Sequence, residues 1–316
     1  MYHGVINVYK EPGFTSHDVV AKLRGILKQK KIGHTGTLDP AARGVLPVCL
    51  GQGTRIADML TEKKKTYEAV LLLGQETDTQ DTTGEVTARY PVETDEEKIR
   101  QAAASFIGPQ QQVPPMYSAL KVGGKKLYEL ARAGKEVERS PRDIEIYALT
   151  VDWITLPRVG LTVTCSKGTY IRTLCHDLGQ ALGCGGCMEQ LTRTRVEQFG
   201  IEDSLTLSQI ETLRDEGRIE EILTPIDAMF DGPKAIAGEW GDKKLCNGNP
   251  VLAEDFSCLL VKTTSGLEEE HPVKELPKTG LVRVYSSHRE FLGLYAYEES
   301  RRWWKPKKMF PGETNV

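Results

Sequence analysis

The sequence predicts a mixed helix-and-strand chain that ends in a small unit of short strands. Three observations carry this. Apolar residues recur at helical spacing in several segments before residue 231, as in Val19, Val20, Leu23, Ile26 and Leu27. Other segments there read as strands, such as Thr66 to Leu73 and Val159 to Cys165. Beyond Asp231-Gly232-Pro233 the texture changes to short strands and turns. At 316 residues, the chain is long enough for two domains, each with its own core.

In order, Gly4 to Tyr9 reads as a strand and Lys10-Glu11-Pro12-Gly13 as a turn. Thr15-Ser16-His17-Asp18 has the hydroxyl and acid of a helix start. The helix it opens ends in basic residues, which suit its negative end. Lys31-Ile32-Gly33-His34-Thr35-Gly36-Thr37-Leu38-Asp39-Pro40 then reads as a shaped loop, neither helix nor strand. Val45, Leu46, Val48 and Leu50 anchor it to a core. Asp39 precedes a proline, which pushes its backbone toward an extended form and fixes its carboxylate on a stiff loop. The same residues also make an ordinary Asp-Pro turn, and composition alone favours that plainer reading.

Gly53 to Leu60 reads as a short helix and Glu85 to Tyr90 as a strand. Asp78 and Asp81, between these strands, read as side chains bonding their own turn backbone. Asp95 to Phe106 reads as a helix with an acid cap. Gln110 to Gly134 reads as an extended segment, a Gly123-Gly124 hinge and a short helix, rich in Lys and Tyr. After Ser166-Lys167-Gly168 a helix carries Ile171, Leu174, Cys175, Leu178 and Leu182 on one face. Arg172 sits in its first turn, where a cation opposes the helix dipole, so it calls for a carboxylate or phosphate partner. Ser204 to Leu223 follows a helical pattern. In the tail, Ala235-Ile236, Cys246 to Val251, Cys258 to Lys262, Leu281 to Tyr285 and Phe291 to Tyr297 read as strands and turns of a small all-β unit.

Charge and cysteines set further bounds. The net charge is −3 and the pI about 6.1, at odds with the simple rule that nucleic-acid binders are basic. Basic clusters do occur at Lys28-Lys31, Lys63-Lys65, Lys121-Lys126 and Arg301-Lys308. Residues 231–316 are balanced in charge, so the net acidity belongs to residues 1–230. Seven cysteines, an odd number, read as reduced thiols. Cys184 and Cys187 form a lone Cys-x-x-Cys, short of the ligands a zinc site needs, so no metal is expected. No Walker or dinucleotide fingerprint occurs. No apolar run approaches a membrane span, and the start lacks a signal-peptide pattern, so a cytoplasmic location is expected.

Gly33-His34-Thr35-Gly36-Thr37-Leu38-Asp39-Pro40 followed by Gly44-Val45-Leu46 closely resembles the catalytic loop of the TruB-type family of tRNA pseudouridine-55 synthases. The resemblance extends through Cys165-Ser166-Lys167-Gly168-Thr169-Tyr170-Ile171-Arg172 and Leu191-Thr192-Arg193-Thr194-Arg195 over nearly the whole chain. It departs from the common pattern at Ala42-Arg43. It implies an α+β fold: a catalytic domain over 1–230 with a mixed, largely antiparallel sheet and an RNA-gripping thumb insertion near 110–140. A PUA-like β-barrel that binds RNA would occupy 231–316.

The activity implied is isomerisation of uridine to pseudouridine, in the tRNA T-loop at position 55. Asp39 would be the catalytic carboxylate and Arg172 its ion-pair partner. Tyr67 would stack on the flipped base, while His34 would fill the space the base leaves. Tyr170 and Leu191 would line the pocket. No electrons or phosphates move in this reaction, so no cofactor is expected. The expected partner is tRNA, bound by a monomer with no obligatory protein partner and no membrane. A noncatalytic RNA binder, a guide-RNA-dependent relative and a glycosidase are the rival readings. The presence of Asp39, Tyr67 and Arg172, the thumb-like insertion, and the want of a second acid argue against them in turn.

Overall fold

A computed structural model describes residues 1–263 and 266–310. The chain forms two compact units. The first comprises 6–50 and 57–222 together with Met1; the second comprises 2–5, 51–56 and 223 onward. The second unit therefore draws two short segments from the start of the chain, which a cut at residue 230 would leave behind.

The first unit is built on a mixed, largely antiparallel nine-stranded sheet. In chain order its elements begin with β1 (Gly4–Lys10), α1 (Ser16–Leu27), β2 (Ile32–His34), β3 (Arg43–Leu50), α2 (Ala57–Thr61) and β4 (Lys65–Leu73). A side hairpin of β5 (Gln75–Thr77) and β6 (Val86–Arg89) precedes α3 (Glu96–Ser105) and β7 (Gly108–Gln112). The hairpin β8 (Lys121–Val122) and β9 (Lys125–Lys126) leads into α4 (Leu127–Arg132). Then come β10 (Arg142–Thr155), β11 (Arg158–Cys165), α5 (Ile171–Ala181), β12 (Gly186–Val196), β13 (Phe199–Gly200) and α6 (Leu207–Asp215). The main path across the sheet is β1-β3-β12-β4-β11-β10-β7, with β2 added to β3 and β13 to β12. β3 and β12 pair in parallel, whereas β12–β4, β4–β11, β11–β10 and β10–β7 are antiparallel. One sheet face is covered by α3 and α5, whose Ile99, Leu174 and Leu178 join Tyr67, Leu71, Ile146, Leu161 and Val163 in the main core.

Local chemistry explains most boundaries. Thr15 caps α1, and Asp18 reaches back to complete a capping box. Asp95 caps α3 through the Lys98 amide. Four departures from the sequence reading have physical causes. The stretch around Asp39 is not all loop, because Ile32–His34 and Arg43–Leu50 pair as strands at its two ends. The helical pattern of 204–223 breaks after Asp215, where Gly217 takes φ +74° and Ile219–Ile222 continues as a 3-10 turn. Gly51–Ile56 is likewise 3-10 rather than α, with only Ala57–Thr61 helical. The long strand β10 was missed. Register shifts after Ile146 and Val151 interrupt the two-residue alternation that would have announced it.

The second unit contains a six-stranded sheet. Its strands are β14 (Lys234–Ala237), β15 (Phe256–Lys262), β16 (Glu268–His271), β17 (Val282–Tyr285), β18 (Phe291–Glu298) and β19 (Trp303–Met309), in the order β16-β15-β14-β17-β18-β19. It is not all-β, for α7 (Asp242–Cys246) follows β14. The expected strand-and-turn at 246–251 is the end of that helix and a turn, and only Val251 bridges, to Trp304. Leu245 is fully buried, which is why the helix docks here. Phe256 and Trp304 meet edge to face in its core, with ring centroids 6.5 Å apart. No helix among the described residues is long and apolar enough to cross a membrane.

Candidate active site

Asp39 lies on the connection between β2 and β3, and the surroundings hold that connection at several points. Leu38 is buried against the main core. Its amide donates to Ser16 Oγ at 2.9 Å, at the start of α1. Lys10, fully buried at the end of β1, donates from Nζ to the carbonyls of Pro40 (3.1 Å) and Ala42 (2.5 Å), and to Glu11 O at 3.2 Å. The Ala42 amide closes a turn onto Asp39 O. Gly44 then enters β3 at φ +108°, and a side chain there would stand 2.2 Å from Arg193 O. The loop is thus fixed by backbone carbonyls as much as by its own turn residues, and its carboxylate is presented at a defined place.

The residue presented to it is Arg172, in the first turn of α5 and only 5% exposed. Nε lies 3.0 Å from Asp39 Oδ2, and Nη2 donates to Asp39 Oδ1 at 3.3 Å, a two-point grip. Nη2 also donates to Tyr117 O at 2.8 Å, and Nη1 donates to Thr79 O at 3.1 Å. Asp81 Oδ2 stands 3.6 Å from Nη1. These acceptors offset the cost of placing a buried cation at the positive end of a helix. The guanidinium thereby joins three separate chain segments around Asp39.

The electrostatics of the pair are opposed. Burial pushes the Asp39 carboxyl above its usual range, and Asp81 adds to this; Arg172 and Lys10 pull it back. The side chain keeps 38% of its surface open to solvent. Burial lowers Lys10 to about 8, with Asp39 working against that shift. His34 is lowered by burial and by the nearby Arg193 charge. Its Nδ1 accepts from the Gly36 amide at 3.3 Å, which fits a neutral ring protonated on Nε2.

Tyr67 on β4 and Leu191 on β12 are buried in the same core cluster as Leu38 and Ala42 of the loop. Burial raises the Tyr67 phenol above its ordinary value. Tyr170 caps α5 without a side-chain cap, and the Gln112 side chain clamps its backbone at both amide and carbonyl. The structure therefore gathers Asp39, Arg172, Tyr67, Tyr170 and Leu191 around one end of the sheet and α5. His34 stands apart at the end of β2, and its hydrogen bond is to the loop backbone.

Sequence reasoning missed several contributors. Asp81 does bond its own turn, accepting from the Thr83 amide at 2.9 Å, yet its other oxygen faces Arg172. Lys10 was read as a turn residue, and Tyr117 contributes through its carbonyl, which no side-chain pattern reveals. Arg43, where the chain departs from the common pattern, donates from Nε to Thr192 Oγ1 at 3.0 Å. Cys184 and Cys187 are buried free thiols, and Gln75 donates to Cys187 Sγ. Among the described residues no cluster of His, Cys, Asp or Glu is arranged to hold a metal ion.

The fold has close parallels among solved structures. The structure of an H/ACA RNP bound to a substrate RNA containing 2'-deoxyuridine includes a chain similar at TM-score 0.71 and 25% identity, covering 99% of this chain and 86% of that one. A chain of a Cbf5-Nop10-Gar1 complex is similar at TM-score 0.70 and 27% identity, covering 97% of this chain and 84% of that one. This is the pseudouridine synthase fold. Residues 24–171 match the model of the TruB family pseudouridylate synthase N-terminal domain, and residues 172–231 match that of the tRNA pseudouridylate synthase B C-terminal domain. The tRNA pseudouridine synthase B of Lachnoclostridium phytofermentans is 47% identical over 98% of this chain and 99% of its own length. That of Alkaliphilus oremlandii is 48% identical over 79% of this chain and 83% of its own length. The chain belongs to the TruB family of pseudouridylate synthases.

Proposed function

We infer that the chain isomerises uridine to pseudouridine in tRNA, at the T-loop uridine of position 55, with Asp39 as the nucleophile. The observation that carries the assignment of Asp39 is its two-point pairing with the buried Arg172 on a loop pinned by Lys10 and Ser16. A carboxylate acts as nucleophile only when ionised, and the guanidinium favours that form against burial. The target uridine leaves its stack to reach the loop. Tyr67, Tyr170 and Leu191 form the walls for the extruded base, and His34 fills the space the base leaves. Breaking and remaking the bond between base and sugar balances without any redox or phosphoryl cofactor.

The partner is tRNA, and the protein acts alone as a monomer in the cytoplasm. Identity of 47% over 98% of this chain to a relative named for tRNA supports tRNA as the partner over the guide-RNP neighbours at 25–27%. Residues 110–140, which contribute the Tyr117 carbonyl and the Lys121–Lys126 hairpin, act as the RNA-gripping thumb. Residues 231–316 form a PUA-like RNA-binding domain. Its six strands and the exposed Arg301, Arg302 and Lys307 support that reading.

The test is tritium release from tRNA transcripts labelled at C5 of uridine. Release from the transcript with a T-loop uridine, and its loss when that uridine is replaced, is the expected result. Equal release from both transcripts would overturn the position, and release from neither would overturn the activity.

A further inference from the structure

The Arg172 nitrogen that reaches Asp39 Oδ1 is shared between two acceptors. Nη2 lies 3.3 Å from that oxygen and 2.8 Å from Tyr117 O. The carbonyl contact falls within the usual span of an N–H···O bond and the carboxylate contact just beyond it, so Tyr117 O does much to set where Nη2 stands. On the other arm of the guanidinium, Nη1 donates to Thr79 O at 3.1 Å. The two carbonyls belong to chain segments that a side-chain contact joins, for Tyr117 Oη donates to Asp78 Oδ2 at 3.2 Å. Asp78 and Thr79 are consecutive. The contacts therefore close a ring, from the guanidinium to the Tyr117 carbonyl, through the Tyr117 hydroxyl to Asp78, and by the Thr79 carbonyl back to the guanidinium.

Both sides of this ring are held. Asp78 Oδ1 accepts from the Glu85 amide at 2.8 Å, and the Asp78 amide donates to Glu85 O at 3.1 Å, across the turn between β5 and β6. A side chain on Gly84 would stand 2.2 Å from the same Oδ1, so the turn closes tightly on the carboxylate. On the other side, the buried Pro114 and Pro115 stiffen the approach to Tyr117. Ser118 is 5% exposed, and its carbonyl accepts from the Tyr128 amide at 3.1 Å. Leu120 O accepts from the Leu127 amide at 2.7 Å, at the start of α4. The segment that holds Arg172 is thus also the one from which α4 hangs. Within the ring, the bond from Tyr117 to Asp78 is the link that a substitution can cut without touching the guanidinium or the backbone.

We propose that Tyr117 is a positioning residue, whose hydroxyl, held by Asp78, sets the carbonyl that keeps Arg172 on Asp39. This rests on the proposed function, in which Asp39 is the nucleophile and residues 110–140 are the thumb. Tyr117 acts through Arg172 and not on the reacting atoms. Its place at the root of the thumb makes the seating of that segment part of the geometry of the ion pair, so its contribution is to the rate of the bound complex rather than to RNA affinity.

The test is a double-mutant cycle of Tyr117→Phe and Asp78→Ala in the full chain. Single-turnover tritium release with saturating enzyme, filter binding of tRNA and melting curves are measured on all four proteins. Saturation removes affinity from the rate, so a contact that only fastens the thumb shows in binding or melting alone. Tyr117→Phe is expected to slow the single-turnover rate ~5-fold, as one partly exposed hydrogen bond can, while tRNA affinity changes less than ~3-fold. On the Asp78→Ala background the same change is expected to cost less than ~2-fold. The acid limb of the Tyr117→Phe pH–rate profile is expected to move to higher pH. A loosened Arg172 opposes less well the burial and the Asp81 charge that raise Asp39, and leaves Lys10 as the other cation lowering it. A Tyr117→Phe protein as fast as the wild type at saturation, an unmoved limb, or equal losses on both backgrounds would overturn the proposal. Where Asp78→Ala fails to melt cooperatively, Arg172→Ala takes its place. There too Tyr117→Phe is expected to cost less than ~2-fold, and a full ~5-fold loss refutes the coupling. Should turnover of Arg172→Ala fall below detection, the limb of Tyr117→Phe decides. An Asp39→Asn control separates the two readings. Turnover by that variant counts against the function, whereas an unaffected Tyr117→Phe beside an inactive Asp39→Asn counts against Tyr117 alone.

Discussion

Arg172 grips Asp39 at two points, with Nε 3.0 Å from one carboxylate oxygen and Nη2 3.3 Å from the other. The two residues lie 133 positions apart in the chain, one on a loop before β3 and the other at the start of α5. Their meeting organises the site, and its consequences are measurable.

Asp39→Asn should reduce pseudouridine formation below detection while changing tRNA affinity by less than ~5-fold, since affinity rests on phosphate contacts and stacking elsewhere. The same variant should melt at a higher temperature than the wild type at pH 7. The native state raises the Asp39 pKa above 3.8, so it holds the proton more tightly than the unfolded chain. Stability from this group is greatest below pH 3.8 and falls as pH rises through the native pKa; the neutral amide escapes that loss. A lower melting temperature at pH 7 would contradict the sign of the shift.

Arg172→Ala should slow turnover by about 10- to 1000-fold, the lower end reflecting the solvent that reaches Asp39. Arg172 is the strongest influence lowering the Asp39 pKa, so removing it raises that pKa further. The acid limb of the pH–rate profile should therefore move to higher pH. An unmoved limb in an otherwise slow variant would detach Arg172 from the ionisation of Asp39.

Lys10→Met keeps the length and the burial but strips the donor from three carbonyls. Losing buried hydrogen bonds of this kind costs ~1–3 kcal/mol, or roughly 3–10 °C in Tm for a unit of this size. Lys10 titrates at about 8 in the native state against 10.5 for a free lysine. The native state binds this proton less tightly, so the wild type should gain on the methionine variant as pH rises from about 8 to 10.5. Thermal melts of both proteins across that range check the slope; a falling difference would count against it.

Gly44→Ala should fold poorly or not at all. The residue sits at φ +108°, and a methyl group would meet Arg193 O at 2.2 Å, backbone that does not yield without parting β3 from β12. A soluble protein with a wild-type melt would show that this crossing is softer than its geometry implies.

Much of this was legible in the chain itself. Thr15 and Asp18 announce a helix start by local hydrogen bonding, and the apolar run behind Asp39 marks a loop held by a core, because such signals depend only on neighbours in sequence. The misfit of Arg172 with its helix end also pointed to an acidic partner, since the dipole conflict is local too. The break at Gly217 and the bulges of β10 escaped because a single residue there reverses a periodic pattern. Tertiary structure alone decided the rest. Lys10, Tyr117 and Arg193 reach the Asp39 loop or its Arg172 through backbone carbonyls and through the pairing of β12 with β3 and β4, and Asp81 reaches Arg172 through its carboxylate, all of them contacts between residues far apart in the chain. A carbonyl carries no residue identity, so no reading of side chains foretells which one a buried cation will find.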